Sequence, residues 1–243
     1  MQKAGVDVAP AFAHENQVIH MTAKLLLSAV CKFALGVVLV GILIFLPAGT
    51  WSFINGWLLM GVLFVPMFAA GLVMMIKNPA LLQKRLNAKE QGKDQNLVVK
   101  LSGLMFLVGF AISGFGYRFG WYRLPFGVSV GAAVFFTMAY ILYAEVLREN
   151  TYLSRTIEVQ EDQKVIDTGL YGVVRHPMYS ATLLLFLAIP LILGSLYAVV
   201  VFLAYPPLIA MRIRGEERLL ERELSGYCEY KEKVRYRLIP FVW

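Results

Sequence analysis

Long apolar runs separated by short polar breaks dominate the first three-fifths of the chain: Leu25–Leu46, Trp51–Ile76, Leu97–Phe119 and Leu124–Leu147. Each has the roughly 20 apolar residues that an α-helix needs to cross a bilayer with every backbone donor and acceptor satisfied internally. The pattern therefore predicts four spans, each long enough to tilt. A further apolar stretch, Ser180 to Met211, is too long for one ordinary crossing and is interrupted by Pro190, Gly194 and Ser195. Proline removes a helix hydrogen bond and Gly-Ser permits a turn, which predicts a helical hairpin with arms short enough for partial insertion. At Arg212-Ile213-Arg214-Gly215-Glu216-Glu217 the apolar pattern gives way to a charged helix with Leu219, Leu220 and Leu224 on one stripe, ended by Ser225-Gly226. The expected fold class is all-α integral membrane, with four long transmembrane helices, a C-terminal helical hairpin and a cytoplasmic amphipathic helix. Three regions follow: a polar N-terminal segment (1–24), a four-span membrane region (25–147) and a C-terminal region (148–243).

Composition sharpens that picture. With 58% hydrophobic and 16% charged residues among 243, the chain is too apolar for an average soluble domain. Its net charge of +7 collects in particular loops. Lys84, Arg85, Lys89 and Lys93 lie between the second and third spans, and the segments after Leu147 and after Met211 are heavily charged, while Pro47–Thr50 carries no charge. Basic loops mark the cytoplasmic side, which puts these segments and the amino terminus inside, with Arg118 and Arg123 as a small exception outside. This bias accounts for the basic balance without a nucleic-acid partner. Lys32 and Lys100, near cytoplasmic span ends, are expected to snorkel. Gly127 and Gly131 suggest close helix approach in the fourth span, and Trp51, Trp57, Trp121 and Tyr122 read as interfacial anchors. Cys31 and Cys228 lack the number and spacing of a metal site or disulfide framework. Met1–Thr22, with Asp7, His14, Glu15 and His20, is unlike a cleavable leader, so the first span is expected to act as the insertion signal.

Candidate chemistry concentrates after the fourth span. The polar connection Arg148–Met178 is longer than a connector needs. It ends in Gly169-Leu170-Tyr171-Gly172, two permissive backbone positions flanking a ring, followed by Arg175-His176-Pro177, with proline in the first turn of a helix. One reading is structural: the glycines make the turn, Arg175 meets lipid phosphate and His176 caps the helix. The other is a small-molecule site. Arg218, Glu221, Arg222 and Glu223 read as a solvated face, whereas a hairpin would return Arg212, Arg214, Glu216 and Glu217 to the level of His176.

The run Arg175-His176-Pro177-Met178-Tyr179, the Glu216-Glu217 pair, and the closing Glu229-Tyr230-Lys231 with Ile239-Pro240-Phe241 resemble the isoprenylcysteine carboxyl methyltransferase family. Phospholipid methyltransferases belong to the same broader group, and the likeness covers roughly residues 150–243. Ala181 stands where the family often has glycine, and the amino-terminal half is shorter than in eukaryotic members. The resemblance implies an S-adenosylmethionine site at the cytoplasmic side involving Tyr171, His176, Tyr179, Glu216 and Glu217. Gly169, Arg175 and Pro177, which shape the same knuckle, complete the expected cofactor-binding set.

S-adenosylmethionine is already an activated methyl donor, so such a protein must hold nucleophile, methyl and sulfur in line and exclude water. Neither a metal nor a nucleophilic side chain is required. Glu216 or Glu217 can hold the ammonium or sugar hydroxyls, His176 can donate to the carboxylate, and Tyr171 or Tyr179 can pack on adenine or the sulfonium. Arg212 or Arg214 can orient a carboxylate acceptor bidentately without a general base; for an amine or thiol, a glutamate or His176 would take the proton. The expected catalytic residues are therefore Arg212, Arg214 and Glu217.

The acceptor is expected to be a lipophilic small molecule or lipid, with the carboxylate of an isoprenylcysteine-like molecule as one candidate, reaching the site laterally between the fourth span and the hairpin. Membrane lipids are the other partner and the oligomeric state is left open. The setting this suggests is a bacterial or archaeal inner membrane, crossed several times, with the site facing the cytoplasm. Two readings compete. A sterol-reductase-like, NADPH-dependent membrane reductase would typically carry asparagine where Met178 precedes the motif tyrosine. A non-catalytic scaffold or transporter has few central ionisable residues to support it.

Overall fold

The structure is a computed structural model that describes residues 9–86, 93–154 and 156–243; Asp7 and Lys89 lie outside the described residues. Nine helices follow one another among them: α1 (Ala9–Ala48), α2 (Ile54–Lys77), α3 (Pro79–Leu86), α4 (Lys93–Arg118), α5 (Phe126–Glu149), α6 (Pro177–Ile192), α7 (Leu196–Phe202), α8 (Tyr205–Glu223) and α9 (Tyr227–Lys233), with a 3-10 turn at Gly169–Gly172. The protein is an all-α, multi-pass membrane protein. Five segments are long and apolar enough to cross: Ala23–Ala48, Ile54–Lys77, Gln95–Arg118, Phe126–Glu149 and Leu196–Glu223.

The count differs from the expected four long spans because the hairpin arms are unequal. Its first arm, α6, has 16 residues, whereas Leu196–Glu223, comprising α7 and α8, has 28 and qualifies as a span itself. The break inside that arm follows from Pro206 and Pro207: neither has an N–H to bond the carbonyls of Phe202 and Leu203, so the helix restarts with the prolines in its first turn. From there α8 runs unbroken from apolar into charged sequence. The change of character at Arg212 is therefore not an element boundary.

The hairpin tip reaches the end of the bundle opposite the charged loops. Gly194, at φ +67°, makes the turn, and its carbonyl accepts from Leu124 N at 3.0 Å, beside the start of α5. Asn55 Nδ2 donates to Ile192 O and to Ser129 Oγ, each at 2.8 Å, and Ser129 Oγ donates to Leu191 O at 3.0 Å. The carbonyls freed at the end of α6 are thus satisfied by α2 and α5. With the outer ends level, the 16-residue α6 stops eight residues short of the 24-residue α5, about 12 Å at 1.5 Å per residue. The knuckle at His176 is accordingly recessed beside the inner end of α5.

α5 packs against α6 more extensively than any other pair of helices packs. On α5, Ser129, Ala132, Ala133, Phe136 and Ala139 are buried; apart from Phe136 these are small side chains, which let backbones approach. Gly127 and Gly131 are exposed, with nothing within 4 Å of an added Cβ, so the expected small-residue motif is on the wrong face of the helix. Lys32, expected only to snorkel, donates from Nζ to Leu86 O at 2.7 Å and so caps the last carbonyl of α3. Trp51, Trp57, Trp121 and Tyr122 are exposed at the hairpin-tip end.

Candidate active site: a cleft along α8

The knuckle is held by a strap. Residue 176 precedes proline and takes a non-helical conformation (φ −127°, ψ 61°), as the proline ring demands. Its backbone N–H is free to pair elsewhere. Arg175 N donates to Tyr236 O and His176 N to Arg237 O, both at 2.9 Å, and Ser180 Oγ donates to Leu238 O at 2.6 Å. The C-terminal strand of chain therefore lies along the start of α6.

Behind the knuckle sits a buried ion network centred on Glu217. Arg175 Nε donates to its Oε1 at 2.8 Å and Arg237 Nε to its Oε2 at 2.9 Å. His176 Nε2 lies 3.3 Å from Oε1, and because an ionised carboxylate only accepts, that nitrogen carries the hydrogen. Arg175 Nη1 also donates to Val234 O and Arg235 O at 2.8 and 2.9 Å. Arg175, His176 and Glu217 are 6%, 5% and 3% exposed. Charges this deep persist only when paired and fully hydrogen-bonded.

In front of the knuckle opens a cleft enclosing about 830 Å³, its mouth included. One wall is a stripe of residues four apart, Arg212, Glu216 and Leu220 of α8 with Leu224 just past its end; Arg212 to Leu220 spans about 12 Å along the helix. It runs from charged near the apolar part of α8 to apolar at the far end. The facing wall is the connection from Asn150 to Ile166 with Tyr171; His176, Met178 and Tyr179 form the base, and Tyr227 and Tyr230 the remaining side. Tyr179 Oη donates to Glu216 Oε2 and accepts from Arg212 Nε at 3.1 Å, while its ring stacks on His176. Asn150 Nδ2 donates to Tyr171 Oη at 3.0 Å, and Tyr230 Oη to Tyr171 O at 2.8 Å. Burial pushes the Tyr171, Tyr227 and Tyr230 hydroxyls above the ordinary phenol range, so they remain protonated.

Of the residues singled out from sequence, Tyr171, Arg175, His176, Tyr179, Arg212 and Glu216 meet at the cleft. Gly169 shapes it from outside. At φ +57° it turns the chain so that Leu170 N donates to Glu149 Oε2 at 2.9 Å, and a Cβ there would collide with that carboxylate. Pro177 is buried at the start of α6. Glu217 is turned away from the cleft into the ion network, which corrects the expectation of a substrate- or cofactor-facing role. Arg214 is exposed on another face of α8, where its carbonyl accepts from Arg218 Nε at 3.2 Å; of the two expected arginines, only Arg212 reaches the cleft. His176 commits Nε2–H to Glu217, which leaves Nδ1 as the ring nitrogen outside that bond. The residues that sequence reasoning missed are Asn150, Tyr152, Gln95 and Tyr227. Gln95, 7% exposed, packs at Gly215 and accepts from Arg212 Nη1 at 3.4 Å. Tyr227 and Tyr230 stand three apart on α9, a helical spacing that puts both rings on one side.

Residues 125–225 match the phospholipid methyltransferase family. That segment fits the broad isoprenylcysteine and phospholipid methyltransferase group. It contains α5 together with the connection, the knuckle and α8, which line the cleft. The chain is also 32% identical over 91 residues to a Delta(14)-sterol reductase of Mus musculus, a stretch that is 36% of this chain and 22% of the relative. The chain thus spans about a fifth of the length of that relative.

Proposed function

We propose that this protein is an integral membrane methyltransferase that uses S-adenosylmethionine and acts on a lipophilic acceptor. The observation that carries the reading is the Glu216 carboxylate, held by the Tyr179 hydroxyl, which itself accepts from Arg212, inside a cleft lined with tyrosines, at the boundary between apolar and charged sequence. A carboxylate among aromatic faces suits a ligand bearing a sulfonium and an ammonium. S-adenosylmethionine, when bound, supplies an activated methyl group on a sulfonium sulfur. Glu216 would hold its cationic end, and the rings of Tyr171 and Tyr179 would pack against it. Arg212, nearest the apolar part of α8, would orient an anionic acceptor group, an isoprenylcysteine-like carboxylate being one that its fork would suit. Glu217, which is not among the cleft-lining residues, positions the knuckle through Arg175. The bias of Lys and Arg towards the cleft end supports a cytoplasmic setting for the site.

A nicotinamide-dependent reductase is the second reading, favoured by the sterol reductase relative. Equilibrium binding of labelled S-adenosylmethionine and of NADPH to the detergent-purified full chain separates the two, followed by transfer of labelled methyl into a membrane lipid extract. The proposal expects saturable S-adenosylmethionine binding and a labelled lipid product. Binding of NADPH alone would establish the reductase reading, and retention of neither would leave a non-catalytic membrane protein.

A further inference from the structure

The strap ends in an apolar turn, Ile239-Pro240-Phe241-Val242, in which Phe241 and Val242 are 88% and 75% exposed. The chain on either side of Arg235-Tyr236-Arg237 belongs to two different apolar clusters. Val234 packs with Leu220, Leu224, Tyr227 and Tyr230 beside the cleft. Leu238 instead joins the core of the membrane helices, with Phe136, Tyr179 and Leu183, and Trp243 packs against that core. Over these few residues the chain therefore leaves the charged end of the molecule and returns to the helix bundle. Ser180 Oγ, in the first turn of α6, donates to Leu238 O. Because α6 starts about 12 Å short of the inner end of α5, Leu238 lies beside the apolar part of the bundle and not beside the charged end of α5.

The backbone of the turn is largely closed on itself and on the protein. Trp243 O accepts from Arg237 N, Leu238 N and Ile239 N at 2.9, 3.0 and 3.3 Å, and Ile239 O accepts from Val242 N and Trp243 N at 3.1 and 3.2 Å. Tyr236 O and Arg237 O are taken by the knuckle. Non-helical chain at membrane depth is tolerated when its polar groups are paired against protein in this way. The side chains are disposed oppositely: Phe241, at φ 64°, and Val242 are exposed in a place where neighbouring residues join the membrane core. A contiguous apolar surface of this kind marks an interaction site, and its continuity with the bundle makes hydrocarbon the medium it meets. Arg235, exposed just before the turn, suits the anionic headgroups that such a chain passes. We infer that the turn 239–242 is a membrane-inserted tip, with Phe241 and Val242 among the acyl chains of the leaflet on the cleft side. Arg237 links this tip to the ion network, since its Nε donates to Glu217 Oε2 at 2.9 Å and its guanidinium lies 5.2 Å over the Trp243 ring. The strap that holds the knuckle is thereby anchored in lipid at its far end, whichever cofactor the cleft takes.

The test uses the full chain with Cys31 and Cys228 replaced by serine, reconstituted into vesicles of phosphatidylcholine and phosphatidylglycerol. A nitroxide is attached through Phe241→Cys, Val242→Cys or, as an aqueous reference, Glu232→Cys on the exposed side of α9. Collisions of the label with oxygen, which partitions into acyl chains, are compared with collisions with a water-soluble nickel chelate. The logarithm of the oxygen-to-nickel ratio is expected to be positive at 241 and 242 and negative at 232. Negative values at all three positions put the turn in water and overturn the inference. Low collision rates with both probes at 241 and 242 also overturn it, because they mean that a second copy of the chain or another protein segment covers the turn. The two tip positions are read separately, so that if one substitution abolishes the melting transition the other decides.

Discussion

Glu216 and Glu217 are neighbours in sequence, yet they belong to two different regions of the molecule. Behind α8, Ile209, Ile213 and Glu217 lie four apart on a buried face, so the carboxylate occupies a position where an apolar core residue would ordinarily sit. It is tolerated there because Arg175, Arg237 and His176 surround it. In front of α8, Arg212, Glu216, Leu220 and Leu224 face a cleft, and Glu216 remains partly exposed. One residue along a helix turns the side chain by about 100°, enough to separate a carboxylate that holds the fold from one that can meet a ligand. The charges behind α8 join the hairpin, knuckle and C-terminal strap; those in front line the cleft.

The strongest challenge to this division is Glu217→Ala. Removing the carboxylate leaves Arg175 buried and unpaired, a loss of about 3–5 kcal/mol, to be read as reduced unfolding free energy in detergent. A variant as stable as wild type but unable to bind ligand would reverse the roles assigned to the two glutamates. Glu216→Gln should do the opposite, lowering affinity for a cationic ligand by about ten- to a hundredfold, the range for a hydrogen bond to a charged group, with melting barely changed. Tyr230→Phe tests the wall between the two regions. It removes the bond to Tyr171 O and should cost about 1 kcal/mol of stability, with ligand affinity falling only as far as Tyr171 shifts. Smallest of all, Arg214→Ala should stay within about 0.5 kcal/mol in stability and leave methyl transfer intact, whereas Arg212→Ala should raise the acceptor KM by more than it weakens donor binding. Equal kinetic effects of the two arginine changes would remove the distinction between the faces of α8.

Much of this architecture is legible in the sequence. The first four spans follow from apolar length, and the hairpin turn from Gly194-Ser195. The unequal arms were harder to see, because the apolar run ends at Met211 whereas the helix does not: once α8 packs on α4 and α6, charged residues continue it as readily as apolar ones. The expected Gly127 and Gly131 seam failed for a related reason. Small residues occur on two faces of α5, and which face is used depends on where α6 lies.

The candidate site divides in the same way. Arg175-His176-Pro177 and the Glu216-Glu217 pair could be found from their residue types, and Pro177 alone dictates that a helix begins there with an unusual conformation before it. Tyr227 carried no such signal, because a tyrosine in a charged tail is unremarkable until the fold brings it to the cleft.

Membrane insertion, helix starts and turns are decided by groups within a few residues of one another, so the order of amino acids by itself determines them. Which carboxylate is buried and which arginine reaches the cleft are decided by rotations of whole helices against neighbours more than a hundred residues away. Those rotations are set by packing at close range in three dimensions, and only the tertiary structure decides them.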